Sequence, residues 1–136
     1  MKTFKLKFFN IMLNQSEEIV DYVIPLIDGL IINREDEDNR WVIEAYIDKK
    51  YMDFFNELKE TNEEIIVQVK ITKETNEPAT LITDVIAVNA LEEEMNVILM
   101  GTIIDEQKTK IEKVLTELIH DGYSGEQLLE KFKTMV

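Results

Sequence analysis

Four features of this chain hold side chains that could do chemistry. The first is His120, the sole histidine. The chain has no cysteine, so this imidazole cannot join a zinc site of common composition. No G-x-S-x-G elbow offers it a serine to activate. It falls in the last turn of a sequence-predicted helix, where a protonated imidazole would interact favourably with the helix C-terminus. That structural role is the expectation. The second feature is the run Glu35-Asp36-Glu37-Asp38. Carboxylate oxygens suit a hard cation. The Ca²⁺ loop pattern fails after its first spacing, because Arg40 stands where a third ligand belongs and Trp41 where the glycine belongs. Arg34 and Arg40 also bring countercharge, so a solvated hairpin tip is expected.

The third feature is Asp84, the one acid to watch, which interrupts Ile82, Ile86 and Val88 on one strand face. Facing inward, its carboxyl would need a donor and its pKa would rise. The expectation is that this face is exposed to solvent or hydrogen-bonded near a rim. Glycoside hydrolysis needs two carboxylates flanking a cleft, but among 28 acidic residues some pair always lies close enough to mean nothing. The fourth feature is the set of four glycines, Gly29, Gly101, Gly122 and Gly125, which form neither a dinucleotide fingerprint nor a P-loop. Gly122 to Gly125 resembles the turn of a helix-turn-helix. The helix after it offers Glu126, Glu130, Lys131 and Lys133, a poor set for reading a major groove. No catalytic residue, metal ligand or cofactor-binding residue is therefore assigned, and no cofactor is expected.

Composition narrows the classes further. A chain of 136 residues fits one domain, and 45% hydrophobic with 32% charged residues is a globular balance. The net charge of −13 argues against nucleic acid, whose binding draws on Lys and Arg neutralising phosphates. Lys2, Lys5 and Lys7 alternate with Phe4, Leu6 and Phe8, which is the period of a strand and not of a signal peptide. No run approaches the ~18 apolar residues of a membrane helix. A cytoplasmic protein beginning at Met1, with no membrane partner, is the expectation.

The elements that must position these residues change texture near Asp105. Before it, short alternating strands dominate. Residues 2 to 13 read as a first strand whose parity slips at Phe8-Phe9, implying a β-bulge. Val20, Tyr22, Ile24 and Leu26 follow on one face after a polar turn at 14 to 18, with Pro25 marking an edge or a break. Asp28-Gly29 between apolar runs is a hairpin signal. Strands are expected at 41 to 47, 65 to 73, 80 to 90 and 97 to 104, with Gly101 suggesting a bend or bulge. Asp48 should cap a short helix of about 49 to 59. Past Asp105 the period becomes helical: Ile111, Val114, Leu115, Leu118 and Ile119 form one stripe, with Glu106 among the residues of the other faces. Gly122 sits where a helix ends, and Ser124 with Gln127 matches a capping box, with Tyr123 and Leu128 as its staple. Leu128, Leu129, Phe132 and Met135 share one side of the final helix.

The fold class expected is α+β: an antiparallel β-barrel core of six to seven strands over 1 to 104, with a short inserted helix, and a C-terminal helix pair over 105 to 136, together one structural domain. The chain also resembles the YwpF-like family, small uncharacterised proteins of low-GC Gram-positive bacteria. Met1-Lys2-Thr3-Phe4-Lys5, Asp28-Gly29-Leu30-Ile31-Ile32-Asn33 before a charged stretch and Trp41, Asn76-Glu77-Pro78-Ala79, Gly101 and Asp121-Gly122-Tyr123-Ser124-Gly125-Glu126 carry the resemblance. It implies a barrel with a C-terminal helix pair and brings no activity, substrate or site residue with it.

The function expected is a non-enzymatic interaction or scaffold module acting on an unknown protein partner or on itself. Its candidate surface is Ile111, Val114, Leu115, Leu118, Ile119, Leu128 and Phe132. The alternatives are a small-ligand or enzymatic barrel, and a homo-oligomeric ring of the kind secretion-tube subunits form, the last an analogy of fold alone.

Overall fold

In the computed structural model, residues 1–15, 18–104 and 108–136 are described. The expected turn residues Ser16 and Glu17, the boundary at Asp105 and the residue Glu106 lie outside them. Strand β1 (Lys2–Gln15) sets the topology because it pairs along both edges. One edge carries β5 (Ile65–Ile71) against Leu6 to Met12. The other carries β3 (Asp28–Asn33) against Lys2 to Lys5 and β2 (Glu18–Val23) against Asn10 to Gln15. From β3 the ring runs through β4 (Arg40–Asp48), β7 (Glu94–Ile104) and β6 (Ala79–Leu91) back to β5, every pairing antiparallel. The result is a closed six-stranded barrel with β2 as an additional strand, each ring strand paired with a neighbour on both sides.

Alternation places Ile43, Ala45 and Ile47 of β4, Met95, Val97 and Leu99 of β7, and Val67 and Val69 of β5 inside, all fully buried. They pack with Leu6, Phe9 and Ile11 of β1 into one apolar core, as barrels of this size fill themselves with side chains. Helix α1 (Met52–Thr61), entered through a 3₁₀ turn at Lys49–Tyr51, closes one end. Asp48 caps this segment as expected, its Oδ1 accepting from the Lys50 N–H at 2.8 Å. Phe55 of α1 is fully buried and stacks on Phe9 with ring centroids 6.3 Å apart. Asn62, in the left-handed region at φ 54°, ends the helix.

Helices α2 (Lys108–His120) and α3 (Gly125–Met135) form the expected pair. Gly122, at φ 96°, closes α2: Tyr123 N–H donates to Leu118 O at 3.1 Å and Gly122 N–H to Ile119 O at 3.0 Å. Those two bonds are a Schellman motif, which needs a residue that tolerates positive φ. The pair lies on the outer wall of the barrel. Its stripe packs on Met12, Ile66 and Ile82, the outward residues of β1, β5 and β6, and makes a second apolar core.

Several local expectations are corrected. Asp28-Gly29 is not a turn: both residues lie in β3, paired with Tyr46 and Ala45 of β4. The chain instead breaks at Ile24–Ile27, where Pro25 cannot donate to a ladder. Thus β2 and β3 follow one another along the same edge of β1, and no hairpin joins them. The bulge in β1 falls between Leu6 and Phe8, leaving Lys7 as the extra residue and turning Phe8 outward beneath Lys70. No bulge occurs at Gly101, since β7 holds a continuous register with β4 from Glu94 to Thr102. The glycine is required because a Cβ there would meet Ile82 O at 1.9 Å. Strand β7 starts earlier than the expected residue 97. Leu91 pairs with Glu94, and Met95 and Asn96 are buried in β7. Ser124 is the N-cap of α3 but makes no side-chain cap bond. Gly125 sits at φ 57°, and a backbone bond from Leu128 N–H to Ser124 O closes the turn at 3.3 Å.

Candidate functional site

The structure scatters the chemistry-bearing residues. His120 is exposed at the end of α2. In the acidic tip, Asp36 is engaged by its neighbour: Oδ1 accepts from Arg40 N–H at 2.9 Å and Oδ2 from Arg40 Nε at 3.1 Å. The Arg40 N–H first, and then its guanidinium, hold the Asp36 carboxyl below the usual range. Asp84 faces outward from β6 and is exposed. Partial burial pushes its carboxyl above the usual range, Glu64 adds to that, and Lys133 works against it. Among the described residues no group of three or more His, Asp or Glu side chains could hold a metal ion.

The apolar stripe is committed to the molecule itself. Ile111, Leu115 and Phe132 are fully buried, and Val114, Leu118, Ile119 and Leu128 nearly so. Each belongs to the second core, against the barrel wall. The stripe is the docking face for the barrel and is not presented to solvent.

A groove of about 850 Å³ opens where the two cores approach one another, between the end of α1, the start of β5, the β1 and β2 strands, and α3. Leu13, Leu58 and Ile65 line it from the barrel side. Met12 and Ile66 of the outer wall and Leu128 of α3, all in the second core, also line it. Ile19 and Leu129 are half-buried and complete the floor. The rim is acidic: Glu63 beside β5, and Glu126 and Glu130 on α3, are exposed. Glu64, also on the rim, is paired across the groove's edge with Lys133 of α3 at 2.7 Å. Glu63, Glu126 and Glu130 have no ion pair among the described residues.

Nothing in the sequence reading singled out this groove. Leu58 and Ile65 were legible as core and Leu129 as helix face, but the elements that carry them are joined only by tertiary packing. A second missed feature is a buried polar row on the same outer wall. Asn10 Nδ2 donates to Asp21 Oδ1 at 3.0 Å and to Gln68 Oε1 at 3.3 Å, and Gln68 Nε2 donates to Thr80 Oγ1 at 3.3 Å. Alternation assigns Gln68 to a solvent face, yet it is fully buried.

The family model for YwpF-like proteins matches residues 2–135. The chain belongs to the YwpF-like family. It is 42% identical over 133 residues to a Bacillus subtilis (strain 168) protein described as "Uncharacterized protein YwpF", with 98% of each chain covered. It is also similar to the crystal structure of a hypothetical protein from Staphylococcus aureus, with a TM-score of 0.73 at 30% identity, covering 99% of this chain and 92% of that one. The YwpF-like fold thus extends over the barrel and the helix pair together. Among the described residues no helix is long and apolar enough to cross a membrane.

Proposed function

We propose that this YwpF-like chain is a non-enzymatic, cytoplasmic interaction module whose docking surface is the groove between α1 and the helix pair. One observation carries the reading. The barrel interior is filled by its own side chains and the helix stripe is buried on the wall, while the groove keeps an apolar floor open to solvent. Isolated exposed apolar residues are ordinary, but a concave apolar floor with a polar rim is the anatomy of a binding site. Among the described residues the scattered acids and the lone histidine set no nucleophile beside a base, which supports a binding role over a catalytic one. The cytoplasmic placement rests on the absence of cysteine.

The test is crosslinking in cells from a photoreactive residue at Asn62 or Ser124 on the groove, compared with one at Glu77 in the loop before β6. The expected result is a discrete adduct from the groove positions that disappears in a Leu129→Glu variant of unchanged far-UV circular dichroism. The same adducts from all three positions would overturn the reading.

A further inference from the structure

We infer that the groove takes a basic amphipathic helical segment of a partner protein, an inference that rests on the interaction-module reading above. Two properties of the groove select this occupant. Its floor, including Leu13, Ile19 and Leu129, asks for apolar anchors spaced along one face, as in helix-in-groove recognition. Its rim asks for cations, because Glu63, Glu126 and Glu130 project there with no ion pair among the described residues. Lys133 of α3 is already taken, since Glu64 holds it through both carboxylate oxygens, at 2.7 and 2.9 Å. A second copy is the wrong occupant: each chain carries −13, so self-docking through an acidic rim meets repulsion at contact and at long range. An anionic polymer or an anionic membrane surface is opposed in the same way. A basic segment is steered in by the same field, and its rate of association should fall with salt.

The probe is a fluorescently labelled amphipathic peptide of about fourteen residues, four helical turns, built of Leu and Lys. Its controls are a Leu and Glu counterpart and a scrambled Leu and Lys sequence. Binding is read by anisotropy, and location by amide shifts in the full-length chain. The expected result is binding of the Leu and Lys helix alone, with shifts at Leu13, Ile19 and Leu129. The double change Glu126→Lys with Glu130→Lys should weaken it about tenfold or more. The double change Glu74→Lys with Glu77→Lys, at the far end of β5, makes the same change in net charge and should alter affinity less than about twofold.

Equal weakening by the two double variants would mean that the whole acidic chain, and not the rim, draws the peptide, and would overturn the inference. Equal binding of the Leu and Glu helix in the groove would overturn the basic partner and leave the docking groove standing. Failure of every peptide to perturb the groove, with a groove-specific crosslinked partner still captured in cells, would overturn the basic-segment inference alone. Failure of both would overturn the module as well.

Discussion

Gly101→Ala is the sharpest test of the packing argument, with Gly122→Ala as its control. At Gly101 a built Cβ lies 1.9 Å from Ile82 O, 2.7 Å from its carbonyl carbon and 2.8 Å from Thr83 Cα. Carbon contacts settle at roughly 3.5–4.0 Å, so β6 would have to withdraw by about an ångström or more. Neither strand has room to do so. Gly101 faces Trp41 of β4 on one side and Thr83 of β6 on the other. Thr83 is itself tied to β5, its Oγ1 donating to Ile65 O at 3.2 Å. The atoms in the way are backbone, which cannot swing aside as a flexible side chain can. Overpacking of a filled core costs typically 1–3 kcal/mol, and a backbone collision inside a closed ring belongs at or above the top of that range, about 3 kcal/mol or more. At Gly122 a Cβ meets nothing within 4 Å, and only the φ of 96° is unfavourable. That strain should cost about 1–2 kcal/mol. Urea titrations followed by far-UV circular dichroism and tryptophan fluorescence would measure both. A total stability of about 5–15 kcal/mol leaves room to resolve the difference, and the m-value should hold if both variants unfold in two states. A Gly101→Ala variant that loses less stability than Gly122→Ala would refute the claim that Gly101 is there for close strand approach.

Three further outcomes are expected. Phe132→Ala should destabilise by about 3–5 kcal/mol in the same urea assay, because Phe132 is fully buried in the second core; a loss under about 1 kcal/mol would mean the helix pair is not docked on the wall. Asp36→Asn should flatten the acid limb of stability. The folded pKa lies below the ordinary value because of Arg40, so Asp36 contributes above the unfolded pKa and that contribution is lost as pH falls through the folded one. Urea midpoints across acidic pH that match the parent's slope would contradict this. Lys133→Ala should change stability by only ~0–1 kcal/mol, since its pair with Glu64 is partly exposed. It should also raise the Asp84 pKa, because Lys133 opposes the upward push of burial and Glu64; an unmoved ¹³C titration of the Asp84 carboxyl would rule that out.

The element types were legible because they depend on local period. Val67, Val69 and Ile71 with Gln68 and Lys70 between them read as a strand, and Ile111 through Ile119 as a helix face. The end of α2 was legible to the residue, since Gly122 supplies a backbone conformation that few other residues tolerate. The local misreadings share a cause. Asp28-Gly29 has turn chemistry, but β1 and β4 hold it in a ladder. Gly101 has the composition of a bulge, but it answers a neighbour in β6 remote in sequence.

By itself, then, the sequence determined the alternation, the helical periods and the Gly122 end of α2, and with them the α+β class. Tertiary structure alone decided which of the two strand faces is covered. Period 2 separates the faces of β5 without saying that both are buried, Val67 by the barrel and Ile66 by a helix pair over 40 residues further along the chain. The groove belongs to the same category. Leu13, Leu58 and Leu129 become one surface only because ring closure and helix docking bring three elements to one seam, and no local pattern encodes a contact between residues so far apart.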